Sequence, residues 1–390
     1  MNLPHARQLV QSLSSSRIRE VANSAMGRAD VLPFWFGESD QPTPQYIRDA
    51  AVASLAAGET FYSPNLGRND LRATIATYLS QLHQQAFGVE RIAVSSSGVS
   101  AIMLAAQLVV GPGDRVVAVT PLWPNVVEIP QILGAEVVRV PLQVQDNCWR
   151  LDLDQLLSAL TPDTRALFLN SPNNPTGWTI TAAEQAAVFT HCRRHGIWII
   201  CDDVYERLVY QDGLRSAPSF LALATAEDRV IGINSFSKAW RMTGWRIGWL
   251  VVPPTMLDDL SKLVEYNTSC APEFVQRAAL VAMRDGEPHV AALRAELAQA
   301  RSRLSSALRA LPGVELPEAG GAMYGFFRLE GYPNSLSLAK HLIETIGLGL
   351  APGCAFGPEG EGWLRWCYAA NTEKLELGIQ RFQQFLTLER

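Results

Sequence analysis

Four short polar segments, each placed directly after an apolar run, carry side chains that could do chemistry. They are Ser96-Ser97-Gly98, Asn170-Ser171-Pro172-Asn173-Asn174-Pro175-Thr176-Gly177, Asp202-Asp203-Val204-Tyr205 and Asn234-Ser235-Phe236-Ser237-Lys238. A lysine removed from water or held near other cations loses its proton easily and becomes a Schiff-base nucleophile. Lys238 stands where a strand would deliver it to such a place, although most lysines are only solvated surface charges. Arg246 follows within Gly244-Trp245-Arg246-Ile247-Gly248. In an apolar, glycine-flanked setting its planar guanidinium needs an anion, either a phosphate or an acidic side chain. Ser97-Gly98 precedes a helix whose first-turn amides would form an anion site, or would simply take a serine cap. Asp202 closes Ile197-Trp198-Ile199-Ile200-Cys201, and a buried carboxylate is costly unless it faces a cation. A protonated pyridine nitrogen is one such cation and a structural arginine is another. Asn174-Pro175-Thr176-Gly177 taken alone is turn composition. His191 and His195 have a helical i, i+4 spacing that could suit a metal, but Arg193-Arg194 would repel a cation and no carboxylate completes the set. They read as surface or core histidines, and no metal site is expected.

The elements that must position these groups follow from the pattern beyond residue 90. Strand-like runs at 91–94, 115–119, 137–140, 166–169, 197–201, 230–233 and 247–252 are interleaved with helical patterns at 100–110, 153–160 and 182–195. Such alternation predicts an α/β domain with a mostly parallel sheet. Ligands of open α/β sheets bind beyond the carboxyl ends of the strands. The four polar segments all follow predicted strands, so they should converge on one edge and one pocket. After Pro253 the pattern changes to long helices, including 288–311, then strand-like pieces at 322–329 and 363–368 and a terminal helix. The expected organisation is an N-terminal segment, 1–45, that joins a small α+β C-terminal domain, 286–390, with a large domain at 46–285 between them.

Composition narrows the function classes. The 390 residues suggest two or three domains, and 48% hydrophobic with 18% charged residues leaves ample core and no sign of disorder. A net charge of −5, with Lys and Arg scattered, argues against a nucleic-acid partner. The six cysteines form no C-x-x-C pair and mostly sit in apolar stretches, as expected of reduced core thiols in a cytoplasmic protein. The start MNLPHARQLV lacks an apolar signal core, and the apolar stretch 92–111 is broken by Ser95-Ser96-Ser97-Gly98, so neither a leader nor a membrane partner is expected.

Taken together, the motifs resemble class I aminotransferases of the aspartate aminotransferase-like, fold-type I group. Ser235-x-Ser237-Lys238 followed by Thr243-Gly244-Trp245-Arg246-Ile247-Gly248 is similar to that family's cofactor-lysine signature. Gly37-Glu38-Ser39-Asp40-Gln41-Pro42 resembles its G-E-P-D segment, and Tyr62 with Gly67, Leu71 and Arg72 fits Y-x-x-x-x-G-x-x-x-L-R. Pro121-Leu122-Trp123, the Asn170 to Gly177 segment, Asp202-Asp203-x-Tyr205, Ala351-Pro352-Gly353 and Arg365-x-x-Tyr368-Ala369 follow in the family's order. Each motif is weak alone; the ordered series is strong.

The resemblance implies a fold-type I α/β enzyme using pyridoxal 5′-phosphate to move an amino group between an L-amino acid and a 2-oxo acid. It implies that Lys238 carries the cofactor as a Schiff base and shuttles the proton, and that Asp202 keeps the pyridine nitrogen protonated. Tyr205 and Asn174 would bond the phenolic oxygen, and Trp123 would stack on the ring. The amides near Ser97, Gly98 and Val99, with Ser235, Ser237 and Arg246, would hold the phosphate, joined by Tyr62 from the partner of a homodimer with shared sites. Arg365 would clamp the substrate α-carboxylate, helped by the backbone at Gly37. Three positions depart from the pattern: Ser39 replaces a usual proline, Arg241 a usual small residue, and Val99 a lysine of some aspartate-using relatives. The last puts aspartate as preferred donor in doubt. Rival expectations are β-elimination or decarboxylation on the same scaffold, and a regulator that would need a DNA-binding domain before residue 37.

Overall fold

The structure is a computed structural model that describes residues 4–211 and 213–388. Its centre is a seven-stranded sheet. Across it, in order, lie Ile92–Ser95, Gly248–Val251, Val230–Ser235, Trp198–Asp202, Thr164–Asn170, Arg115–Thr120 and Glu136–Pro141. All run parallel except Gly248–Val251, which is antiparallel to both neighbours. Six of the seven strands are buried on almost every residue. That is why they read as continuous Val/Ile/Leu runs rather than alternating ones: helices cover both faces.

Parallel strands send their carboxyl ends to one edge. Ser95, Thr120, Asn170, Asp202 and Ser235 are therefore all on the same rim, and Gly248 starts its reversed strand there, opposite Ser95 and Ser235. The helix Gly98–Val109 leaves this rim with seven buried positions and packs on the sheet. The helix Ala182–His195 lies where the sequence pattern placed it. Thr181 and Glu184 close its start as a capping box, and Gly196 ends it at φ 67°.

A four-stranded antiparallel sheet forms a second centre, in the order Val314–Glu315, Tyr324–Leu329, Trp363–Cys367 and Ala351–Pro352. The long helix Glu287–Arg309 and the terminal helix Thr372–Leu388 flank it. The N-terminal segment runs beside this sheet. Leu32–Pro33 pairs in parallel with Leu348–Gly349, and Phe34 accepts from the Cys367 amide at 3.3 Å. Trp35 and Gly37 are held against the strand that bears Arg365 by these contacts.

Several elements escaped the sequence reading. Helices Arg17–Ala25, Gln45–Ala56 and Asn69–His83 occupy the N-terminal quarter, and Pro124–Ile132 is helical despite Pro130 within it. All six cysteines are free; Cys192, Cys201 and Cys367 are buried and the rest half-buried. No helix among the described residues is long and apolar enough to cross a membrane.

Candidate active site

Lys238 lies three residues beyond the rim residue Ser235. Its Nζ donates to the Gly37 carbonyl at 2.5 Å and sits 5.5 Å from the centroid of the Tyr205 ring. Loss of hydration brings the amine down from its ordinary 10.5 to about 8, and the Arg365 and Arg246 guanidiniums push in the same direction. An amine titrating there supplies neutral nucleophile near neutral pH.

Asp202 is buried at the end of its strand. Its Oδ1 accepts the Val204 amide at 3.3 Å, and among the described residues it forms no ion pair. Burial raises its carboxyl from 3.8 to about 7, opposed by that amide and by Lys238. A structural arginine, the plainer alternative for this position, is not there. Asp203, next in sequence, points elsewhere and accepts the Ser219 hydroxyl at 2.7 Å.

The anion-seeking end is built from three segments. Ser97 begins the helix at φ 149°, ψ 166°, a conformation unusual for a residue with a Cβ. Its Oγ accepts the Ser100 amide at 3.0 Å, so the capping reading is correct for that side chain. The first-turn amides of Gly98 and Val99 have no intrahelical acceptor. Ser235 packs against this turn, so that a Cβ at Gly98 would come within 3.2 Å of the Ser235 Cβ. Ser235 Oγ donates to Ser237 Oγ at 2.8 Å. The Arg246 side chain is exposed and lines a cavity with Thr43, Ser96 and Trp245. It forms no ion pair among the described residues and donates only to the Thr243 carbonyl, at 2.6 Å. It stands at φ 52°, in the left-handed region, just before the strand Gly248–Val251.

Arg365 is fully buried on the second sheet. Nη1 donates to Asn174 Oδ1 at 2.9 Å, Nη2 donates to the Trp35 carbonyl at 2.5 Å, and the buried Nε has no partner among the described residues. Asn174 thus faces the arginine directly, while its own amide is held by Asn170 Oδ1 at 2.8 Å. Trp123, half-buried, donates its amide to the Asn174 carbonyl at 3.1 Å. Tyr205 is buried and its hydroxyl lies 2.5 Å from that of Tyr324, a residue the sequence motifs did not single out. Strand pairing sets it near the arginine, since Tyr324 lies opposite Cys367 and Phe326 opposite Arg365.

Three further positions have definite surroundings. Tyr62 is 92% exposed, which excludes a core aromatic of its own subunit. It lines a surface cavity with Glu59, Arg68 and Glu273. Arg241 pairs with Glu296 on the long helix of the second centre. His191 Nε2 lies 2.7 Å from the Leu160 carbonyl, a structural contact.

A rim of parallel strands bearing an amine of lowered pKa, a buried carboxylate without a cation, an anion-seeking helix start and a buried guanidinium defines a fold-type I transferase. Residues 29–382 match the family described as aminotransferase class I and II. The chain is 31% identical over 381 residues to an aspartate aminotransferase of Pyrococcus horikoshii, covering 97% of this chain and 96% of that one. It is also 31% identical to aromatic-amino-acid aminotransferase 2 of Thermococcus litoralis, over 97% of both chains. An aspartate aminotransferase of Thermus thermophilus solved with maleate superposes with a TM-score of 0.90 at 28% identity, over 98% of this chain and all of that one. The chain therefore belongs to the class I and II aminotransferase family, a family of pyridoxal-phosphate-dependent transaminases, and is an aminotransferase.

Proposed function

We propose that this chain holds pyridoxal 5′-phosphate on Lys238 and transfers an amino group between an L-amino acid and a 2-oxo acid. The observation that carries the reading is the shared rim: Lys238, held to the Gly37 carbonyl, lies just beyond one strand, and the buried Asp202, in no ion pair among the described residues, ends the strand beside it. When bound, the cofactor supplies an electron sink for charge developing at the substrate Cα.

The chain's own residues then have separable tasks. The Lys238 amine anchors the cofactor and, once released, moves the proton at Cα. Asp202 supplies the negative charge that holds a proton on the ring nitrogen. Tyr205 and Asn174 would hold the cofactor's phenolic oxygen, and Trp123 would lie against its ring. The Gly98 and Val99 amides, the Ser97 turn, Ser235, Ser237 and Arg246 receive the phosphate dianion. Arg365, with its unpartnered Nε, takes the substrate α-carboxylate beside the Gly37 backbone.

The working form is a homodimer in which Tyr62 of each chain completes the phosphate site of the other. Its exposure, beside the exposed Phe61, supports this. The division into a large domain, 46–285, and a small one, 286–390 with 1–45, places the site between the two. The setting is cytoplasmic amino acid metabolism.

Incubating the loaded enzyme with single amino acids, without a 2-oxo acid, tests the reaction. A transaminase converts the cofactor's visible absorbance to that of its amine form and releases one equivalent of 2-oxo acid. Release of ammonia or carbon dioxide in place of that exchange contradicts the reading.

A further inference from the structure

Resting on the site reading above, we propose that Tyr324 is a positioning residue: its hydroxyl donates to Tyr205 and so turns the Tyr205 proton toward the cofactor's phenolic oxygen, while its ring supports Arg365. The two phenols lie 2.5 Å apart, and the contact alone permits either oxygen to donate.

The surroundings break that symmetry. The Arg365 guanidinium lies 4.5 Å from the centroid of the Tyr324 ring. A cation on the face of a phenol stabilises the negative charge that grows on its oxygen as the proton leans away, making Tyr324 the better donor. The cation over Tyr205 is Lys238, farther off at 5.5 Å and with a labile proton, whereas a guanidinium is always charged. Tyr324 is buried, and among the described residues its hydroxyl has no hydrogen-bond partner but Tyr205. Its oxygen occupies the place where a side chain at Gly37 would begin, which closes the other approach. Having accepted from Tyr324, Tyr205 must direct its own proton elsewhere, and a donor in such a chain is strengthened by the bond it receives.

Strand register produces the arrangement. Tyr324 pairs with Cys367 and Phe326 with Arg365, so Tyr324 and Arg365 are diagonal neighbours on one face. Phe356, 5.0 Å from the guanidinium, adds a second aromatic contact. The tyrosine hydroxyl and the tyrosine ring thus have different tasks, and substitution can separate them.

The test is the pH titration of the bound cofactor's visible absorbance in the holoenzyme, with KM for the amino acid measured in parallel. A donor at the phenolic oxygen disfavours the protonated form of the neighbouring lysine–cofactor linkage. Tyr205→Phe should therefore raise the titration midpoint, on the order of 1–2 pH units. Tyr324→Phe should raise it by less, about 0.2–0.5 unit, and leave KM nearly unchanged because the ring remains. Tyr324→Leu should give the same midpoint shift and also raise KM. A Tyr205→Phe shift accompanied by no rise in Tyr324→Phe overturns the inference while the site reading stands. No shift in Tyr205→Phe overturns the placement of Tyr205 at the cofactor, and the inference with it. Should Tyr324→Leu fail to fold, the Tyr324→Phe titration alone decides.

Discussion

The Lys238 amine donates to the Gly37 carbonyl, 2.5 Å away and 201 positions earlier in the chain. Lys238 follows a strand of the seven-stranded sheet, whereas Gly37 lies on a segment pinned beside the four-stranded one. One hydrogen bond thus joins the proposed anchoring amine to the backbone that also presents the Trp35 carbonyl to Arg365. Anything that binds between the two sheets must satisfy both sets of groups at once.

Arg365→Leu should raise KM for both amino acid and 2-oxo acid and leave bound cofactor almost unchanged. Truncating one partner of a buried, hydrogen-bonded charge pair costs roughly 2–5 kcal/mol, on the order of 30-fold or more in KM. Steady-state kinetics beside an absorbance measurement of cofactor content checks this. Unchanged KM values would place the carboxylate elsewhere.

Asp202→Asn should act with opposite sign in the empty and the loaded protein. Burial lifts the Asp202 carboxyl from 3.8 to about 7. Between those values the folded protein keeps a proton that the unfolded chain has released, so the Asp202 contribution to stability falls as pH rises through that window. Above pH 7 the full cost of the buried charge remains, on the order of 4 kcal/mol. Without cofactor, the variant should melt close to wild type near pH 4 and higher at pH 8. With pyridoxal phosphate added, wild type should gain more at pH 8, because only it offers a counter-charge to the ring nitrogen. Calorimetry of the four combinations decides. A cofactor-free variant less stable than wild type at pH 8 would contradict the assignment.

Mixing Lys238→Ala chains with Tyr62→Phe chains tests the shared site. In a heterodimer built as proposed, one site carries both lesions and the other none, so part of the activity returns. Confirmed heterodimers without complementation would confine Tyr62 to its own surface.

How much was legible in sequence depends on how locally each feature is determined. The convergence of the four polar segments follows from strand direction, which alternating strands and helices impose without knowledge of distant contacts. Asp202 was legible for the same reason, because a carboxylate ending a wholly apolar strand is buried by its neighbours. The exposure of Arg246 was not legible, because apolar flanks report the environment of the chain and not the direction of one side chain. Tyr324 was not legible because its meaning lies in Tyr205, 119 positions away. The helix Pro124–Ile132 was hidden by its prolines. Pro124 suits a first turn, but Pro130 normally argues against a helix interior.

The central claim is that Lys238, and no other lysine, carries the cofactor. Reducing the loaded enzyme with borohydride fixes any lysine–pyridoxal linkage as a stable amine, which peptide mapping then locates. One phosphopyridoxyl label per chain is expected, on Lys238, and none in Lys238→Ala protein that retains its fold. A label on Lys262 or Lys340, or an unlabelled Lys238 in enzyme that turns over, would contradict it.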